Sequence, residues 1–183
     1  MELDVKEFVE NKLQSSLIEI KRRANVGLNE LNVYEEVLIY YYSKEGYEPI
    51  NENLRDDNND IHEAYLNQTL SKLKDYKSIV YRGAKLSKTQ INIYKKAEKD
   101  DTIITEKAFT STSKSILTAN QYSKANTVFT IMSKTGKEIE EFSFFGNKSP
   151  QNEKEVLFKS KTQFRVLEVN ESDTVIKIML EEV

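Results

Sequence analysis

Apolar residues at the start of the chain recur at the three-and-four spacing of one helix face, which predicts an amphipathic helix. The face is long enough to cover a neighbouring core, so we expect one N-terminal helix packed through it. The residues that share it are Val5, Phe8, Val9, Leu13, Leu17 and Ile20.

A helical pattern continues through the next part of the chain. A second helix is predicted from near Asn29 to Tyr42, and Gly46 and Pro49 predict a turn after it. A short helical stretch, 51–55, should follow that turn.

The polar segment 56–60 predicts a further turn, and a last helix should follow it. Asp60 has the side chain and the position of an N-cap residue for this helix. The helix would carry Leu66, Leu70 and Leu73 on its apolar face.

Beyond Tyr76 the pattern changes to short segments rich in β-branched and aromatic residues, which predict strands. Helical segments interrupt them near 88–98 and 115–123. The predicted strands are 78–82, 108–112, 127–132, 139–142, 155–158, 164–169 and 174–180.

Helices followed by strands indicate an α+β fold with a mostly antiparallel sheet system, because a parallel sheet would need alternating strands and helices. The length of 183 residues fits one domain, given roughly 100–200 residues per domain. We therefore predict a single domain, 1–183, with a helical part (1–76) and a β-rich part (77–183).

Composition narrows the classes of function. Charged residues make up 31% of the chain, and no apolar run approaches a bilayer span. The net charge of −3 gives no general attraction to nucleic acid. The acidic N-terminus lacks the order of a cleavable secretory signal. Neither a nucleic-acid partner nor a membrane span is expected, and a monomer is the default.

Several common catalytic sites are excluded by residues that the chain lacks. It has no cysteine and one histidine, His62, which we predict to be a solvated first-turn residue. A Ser-His-Asp triad and a histidine-rich zinc site are therefore not expected, and nothing implies a metal. The five glycines form no phosphate-binding loop. A bound nucleotide would have to be held by arginine and serine side chains.

Such side chains occur in a distinctive order. Arg82 and Gly83 end the first β-rich segment, and Ser111 lies in the run Phe-Thr-Ser-Thr-Ser that ends the second. Glu153 and Glu155 enter a later strand. If that segment is extended, residues two apart face the same side, so both carboxylates would point into one cleft. Arginine suits phosphate through its planar fork.

This ordered set resembles the arginine-directed mono-ADP-ribosyltransferases, the class with an arginine, a Ser-Thr-Ser strand and a Glu-x-Glu pair. The stretch 39–55, IYYYSKEGYEPINENLR, is similar to the helix that bacterial toxin-like exoenzymes place before the arginine. Segments 161–167 and 176–181 resemble the closing strands of that fold. The resemblance runs from about Val33 to the end and implies a helical lobe on a β-sandwich.

The resemblance implies NAD as co-substrate and assigns roles within one site. Arg82 would hold the NAD ribose and phosphate, and the backbone of Gly83 the nicotinamide amide. Ser111 would orient Glu155, which would bind the ribose 2′-hydroxyl. Glu153 would engage the guanidinium of a target protein's arginine. Asn51 and Arg55 are further candidates for the NAD phosphates, and Phe144, Phe145 and Tyr122 for aromatic contacts.

A second Glu-x-Glu pair, Glu138 and Glu140, competes for the catalytic role. The pair Glu153 and Glu155 is preferred because the apolar segment 156–158 follows it directly. If the alternative were right, removing the charge of Glu140 would abolish activity.

Two other functions remain open: an NAD glycohydrolase that transfers ADP-ribose to water, and a non-catalytic relative of the fold that binds a partner protein. A small Lys- and Asn-rich domain without a cleavable signal suits a bacterial toxin, an injected effector or a phage protein that modifies its host. We expect it to be secreted or delivered into a target cell and to act in the cytoplasm of that cell.

Overall fold

The computed structural model describes residues 4–23, 30–121, 125–171 and 174–183. Within them the α+β prediction is confirmed, because helices come first and a mostly antiparallel sheet follows. The N-terminal helices are α1 (Val5–Lys12), α2 (Gln14–Lys21), α3 (Val33–Tyr41), α4 (Tyr47–Arg55) and α5 (Ile61–Leu70).

The apolar face predicted for one N-terminal helix is divided between two helices. Leu13 separates α1 from α2 and leaves the helical region of backbone space, with φ −124° and ψ 35°. Its side chain is nonetheless buried. The prediction of a single helix was wrong. The spacing of apolar residues shows which side chains are buried, and this spacing is unchanged when the chain bends at a buried residue.

A five-residue π-helical turn, Tyr42–Gly46, joins α3 directly to α4, so the turn predicted at Gly46 and Pro49 is helical instead. A side chain at position 46 would meet the ring of Tyr41 at 2.7 Å, which explains a glycine inside a helix. Pro49 follows within the first turn of α4, and the wide turn before it accommodates the proline's missing amide hydrogen.

The caps of two helices follow from the sequence. Asn32 caps α3 through a capping box with Glu35, whereas the predicted start near Asn29 lies outside the described residues. Asp60 accepts a hydrogen bond from the amide of His62, as predicted for the cap of α5. The His62 ring is only partly exposed: it stacks on Tyr41 and contacts Phe8, so it packs more than the predicted solvated residue would.

The described residues form one hydrogen-bonded sheet in the order β1-β6-β7-β4-β2-β5-β9-β8-β3, in which β5 and β9 pair in parallel and the other neighbours are antiparallel. Helices α6 (Lys88–Asp100) and α7 (Ile116–Asn120) interrupt the strands, as predicted. The strands are β1 (Asp75–Tyr76), β2 (Ile79–Ala84), β3 (Ile103–Glu106), β4 (Thr110–Ser113), β5 (Thr127–Met132), β6 (Gly136–Glu138), β7 (Glu155–Phe158), β8 (Thr162–Asn170) and β9 (Ile176–Glu182).

One predicted strand is absent, and three observed strands were not predicted. Segment 139–142 is a turn in which the amides of Phe142 and Ser143 both bond to the carbonyl of Ile139. Ile139 and Phe142 are buried in the turn, so their apolar character reflects packing rather than an extended backbone. β1 and β6 are only two and three residues long, too short to give a strand signal. β3 (Ile-Ile-Thr-Glu) carries β-branched residues and is as long as β4, and it was missed.

The sheet folds over on itself, so the nine strands form two layers. The rings of Phe158 on β7 and Phe164 on β8 lie 5.3 Å apart, although four strands separate β7 from β8 in the sheet order. The core between the layers, here called the sheet core, includes Val80, Phe129, Ile131, Val156, Phe158, Phe164, Ile178 and Leu180.

A second core, the lobe core, joins the helical part to one face of the sheet. Its helical members include Val9, Ile20, Val37, Ile39, Leu66 and Leu70, and its members from the β-rich part include Phe109, Ile139 and Leu157. The helical part therefore packs against β7 and the residue that leads into β4, the strands that carry Glu155 and Ser111. No helix among the described residues is long and apolar enough to cross a bilayer.

Candidate active site

A cleft of about 440 Å³, open to solvent, lies where β2, β4, β7 and α7 meet. Five of the residues predicted from the sequence line it together. The lining residues are Tyr81, Arg82, Gly83, Ser111, Thr112, Ser113, Thr118, Ala119, Glu153 and Glu155.

The position of Arg82 follows from a divergence between two strands. β2 and β4 pair only at Tyr81 and Ser113, although β2 continues to pair with β5 through Ala84. The Arg82 Nη1 atom donates a hydrogen bond of 2.6 Å to the main-chain carbonyl of Ser111 across this divergence. The guanidinium is thereby fixed at the cleft with further N–H donors left for a ligand.

Glu155 is buried and is the first residue of β7. Burial raises the pKa of its carboxyl to about 7, although hydrogen bonds from Ser111 and Ser143 oppose the shift and the charge of Glu153 adds to it. Ser143 Oγ donates to Glu155 Oε2 at 3.4 Å. Glu155 is thus a carboxyl poised to change charge near neutral pH, held by two hydroxyl groups.

Glu153 lines the same cleft, but the reason given by the sequence was wrong. The segment is not extended: β7 begins only at Glu155, and Lys154 has a left-handed backbone with φ 49°. The backbone at Glu153 is held by its amide, which bonds to Phe145 O at 2.9 Å, and by its carbonyl, which accepts from Ser113 Oγ at 2.6 Å. A turn, rather than strand periodicity, brings the two carboxylates to one cleft.

The Glu153 carboxyl is partly buried, and burial raises its pKa. Among the described residues no cation pairs with it. It therefore presents an acceptor at the cleft that is not neutralised by a neighbour.

Tyr42 is a site residue that the sequence analysis did not identify. Its hydroxyl bonds to Ser111, and burial raises its pKa to about 12. Asn51 Nδ2 donates to the Tyr42 hydroxyl oxygen at 2.9 Å, which leaves the Tyr42 O–H free to donate to Ser111 and the Ser111 O–H to donate to Glu155. A chain of hydrogen bonds thus runs from α4 to the Glu155 carboxylate.

Asn51, predicted as a contact for the NAD phosphates, does not lie among the residues that line the cleft. Besides its bond to Tyr42, its Oδ1 accepts from the amide of Phe109 at 3.1 Å. Its side chain is buried and its donor and acceptor are both used inside the protein. Arg55 lies exposed at the last position of α4, next to Lys107, and is also outside the set that lines the cleft.

Two of the three aromatic candidates, Phe144 and Phe145, are not among the residues that line the cleft. Phe144 packs against Tyr40 in the lobe core, and Phe145 contacts Phe144 while its carbonyl holds the Glu153 amide. Tyr122 lies outside the described residues.

The second Glu-x-Glu pair has a different environment from the first. Lys114 Nζ lies 2.7 Å from Glu138 Oε1 and 2.6 Å from Glu140 Oε2. Burial opposes ionisation of Glu140, but the bonds from Lys114 and Asn152 prevail and lower its pKa. Both carboxylates pair with the same lysine, and neither is among the residues that line the cleft.

The family model of the NAD:arginine ADP-ribosyltransferases matches residues 9–183. The chain belongs to this family. The enzymes of this family use NAD as the donor of ADP-ribose. The cleft suits such a ligand, since it offers a guanidinium, hydroxyl groups and two carboxyl groups. No curated protein matches the chain in sequence.

Solved structures of bacterial ADP-ribosyltransferases share the fold at low identity. Exoenzyme S from Pseudomonas aeruginosa, solved with human 14-3-3 protein beta and carba-NAD, has a TM-score of 0.76 and 17% identity, with 98% of this chain and 87% of that chain covered. The type III effector XopAI from Xanthomonas axonopodis pv. citri gives 0.71 and 19%, with 95% and 78% covered.

Vis, a toxin from Vibrio splendidus, has also been solved in complex with agmatine. That structure has a TM-score of 0.67 and 21% identity, with 100% of this chain and 88% of that chain covered. These similarities place the described residues in the ADP-ribosyltransferase fold.

Proposed function

We propose that this ADP-ribosyltransferase transfers ADP-ribose from NAD to an arginine of a target protein and releases nicotinamide. The observation that carries the proposal is that Glu153 and Glu155 line one cleft with Arg82 and Ser111. Glu155 would serve the donor and Glu153 the acceptor, so the cleft holds a carboxyl group for each substrate.

Arg82 and Gly83 would hold NAD. The guanidinium of Arg82 is fixed by the Ser111 carbonyl and directs its other donors at a ribose or phosphate oxygen. Gly83 is buried in the cleft and has no side chain, so the nicotinamide amide could approach its backbone closely.

Glu155 would act on the bond that breaks. When nicotinamide leaves, positive charge develops on the ribosyl carbon, as in glycoside cleavage. A carboxylate fixed beside that carbon, and bonded to the ribose 2′-hydroxyl, stabilises the transition state more than the ground state. Ser111 and Ser143 would keep Glu155 in the required orientation.

Glu153 would engage the guanidinium of the target arginine. An arginine must approach the ribosyl carbon and lose a proton, and an adjacent carboxylate assists both steps. Glu153 is suited to this because it lines the cleft and no cation among the described residues neutralises it. The structure of Vis with agmatine, a guanidinium compound, supports the same class of acceptor.

Arg55 remains a proposed contact for the NAD phosphates, because its side chain is exposed at the end of α4. Similarity to a type III effector supports a protein that is delivered into a target cell and acts in its cytoplasm.

The test is nicotinamide release from NAD with and without agmatine, for the wild type and the variants Glu155→Gln, Glu153→Gln and Glu138→Gln. We expect agmatine to stimulate release by the wild type. Glu155→Gln should lower both rates by a factor on the order of 10²–10³. Glu153→Gln should abolish the stimulation and retain the basal release, and Glu138→Gln, the control from the second pair, should behave as the wild type.

The remaining outcomes of this experiment would indicate different functions. Wild-type release that is indifferent to agmatine would identify an NAD glycohydrolase. A protein that neither releases nicotinamide nor binds NAD by calorimetry would be a partner-binding relative of the fold.

A further inference from the structure

The loop that carries Glu153 is tied to Glu140 at both ends. At its start, the amide of Asn147 donates to the main-chain carbonyl of Glu140 at 2.9 Å. At its end, Asn152 Nδ2 donates to Glu140 Oε1 at 2.6 Å. Glu140 thus contacts the residue immediately before Glu153 through its side chain.

Asn152 passes this contact on to the backbone around Glu153. Its Oδ1 accepts from the amide of Lys154 at 2.8 Å. One amide side chain therefore spans Glu153, with Glu140 on one side and Lys154 on the other. This bond closes an Asx turn over Glu153 and so fixes the backbone at Glu153, next to the left-handed Lys154.

Lys114 completes the support. Its Nζ binds Glu140 Oε2 at 2.6 Å, and its amide donates to the carbonyl of Lys154 at 3.0 Å. Lys114 directly follows β4, the strand that carries Ser111, so its contacts connect β4 to the loop that carries Glu153. The carboxylate of Glu140 accepts from Asn152 with one oxygen and from Lys114 with the other, a task that needs two acceptors.

We propose that Glu140 is a positioning residue for the acceptor step and acts on Glu153 through Asn152. The inference rests on the proposed role of Glu153 toward the target guanidinium. Glu140 itself does not line the cleft and is not assigned contact with NAD or the acceptor.

Glu138 provides a matched control within the same cluster. It also pairs with Lys114, at 2.7 Å, but no bond joins it to Asn152 in the described residues. Neutralising Glu138 therefore removes a similar charge from the same lysine and leaves the Asn152 contact intact.

The experiment uses Glu140→Gln, Asn152→Asp, the double variant and Glu138→Gln. Glu140→Gln leaves one acceptor where two are needed. Asn152→Asp places two carboxylates opposite each other. In the double variant the glutamine Nε2 can donate to the new aspartate, which restores the bond with donor and acceptor exchanged.

Two readouts are measured for each variant. The first is nicotinamide release with and without agmatine. Each single variant should lower kcat/KM for agmatine by about 10- to 100-fold and change basal release by less than about twofold, because misplacing Glu153 affects only the acceptor. The double variant should regain most of the loss.

The second readout is amide hydrogen exchange at Glu153 and Lys154, followed by NMR. Exchange should accelerate in the two single variants, return toward the wild-type rate in the double variant and stay unchanged in Glu138→Gln. This measurement is independent of any activity, so it decides the structural part even if agmatine does not stimulate the wild type, which would instead refute the proposed function.

The inference is overturned if Glu140→Gln and Glu138→Gln behave alike in both readouts. It is equally overturned if basal release falls in parallel with agmatine-dependent transfer, since Glu140 would then support the whole site. Should Glu140→Gln fail to fold, Asn152→Ala, which deletes the link at an exposed loop, must show the selective loss.

Discussion

Asn51 donates a hydrogen bond of 2.9 Å to the hydroxyl oxygen of Tyr42, and both residues are buried beneath the cleft. This contact sets the donor and acceptor roles in the hydrogen bonds that lead to Glu155. Because Tyr42 accepts from Asn51, Tyr42 donates to Ser111 and Ser111 donates to Glu155. The orientation of Glu155 therefore depends on side chains that do not line the cleft.

Tyr42→Phe should lower kcat for nicotinamide release by about 2- to 10-fold, the equivalent of one hydrogen bond of about 0.5–1.5 kcal/mol. The KM for NAD should change less, because Arg82 is untouched. Tyr40→Phe is the control, since it removes a buried hydroxyl that bonds to Glu19 instead. Equal rates for the two variants would refute a role for Tyr42 in orienting Glu155.

The pH dependence of kcat/KM for NAD should show an acid limb near pH 7. Burial raises the pKa of Glu155 to about 7 in the protein without substrate, and the carboxylate is the form that stabilises positive charge. Activity should therefore rise as the pH increases through about 7 and then level off. A profile that is flat between about pH 5 and about pH 9 would contradict this assignment.

The raised pKa of Glu155 should also make the stability of the folded protein depend on pH. The folded-state pKa of Glu155 lies above its unfolded value, so the cost of burying the charge is absent below the unfolded pKa and grows as the pH rises toward about 7. Glu155→Gln removes that cost. Urea unfolding at high pH should show the variant stabilised by at most about 3 kcal/mol, with a smaller difference at pH 4 or so. A stability difference that does not change with pH would count against the shifted pKa.

Arg82→Lys should raise the KM for NAD and lower kcat/KM by about 10- to 100-fold. Lysine keeps the charge but lacks the planar fork, so it cannot hold the Ser111 carbonyl and a ligand with the same geometry. Arg165→Lys changes a surface arginine that pairs with Asp101 at 3.6 Å, and it should leave steady-state kinetics unaltered. If the lysine variant of Arg82 is as active as the wild type, the guanidinium has no special role.

Gly146→Ala should damage the loop that carries Glu153. A side chain there would lie 1.8 Å from the main-chain carbonyl oxygen of Glu140, so the backbone must move. We expect a loss of about 1–3 kcal/mol of stability and a selective loss of agmatine-dependent transfer. Gly136→Ala is the control: its new side chain also overpacks its surroundings, against Ser133 and Val156, but it lies in β6, outside the loop. Comparable transfer by both variants at equal stability would contradict a specific effect on the loop.

Local chemistry in the sequence determined much of the fold. Two strands, Thr127–Met132 and Glu155–Phe158, have the predicted bounds, and Asp60 caps α5 as expected. Helix capping and strand propensity depend on residues that are neighbours in the chain, so both can be predicted from the sequence. The ordered arginine, serine and glutamates also predicted which side chains would line one cleft, because their resemblance to a known family includes the order.

Tertiary structure alone decided how those side chains are held. Glu153 reaches the cleft through the left-handed Lys154, and Asn51 meets Tyr42 although residues nine apart in a regular α-helix face opposite sides. The π-helical turn between Tyr42 and Gly46 changes that spacing. Irregular backbone of this kind is stabilised by contacts with distant parts of the chain, and periodicity along a sequence carries no record of such contacts.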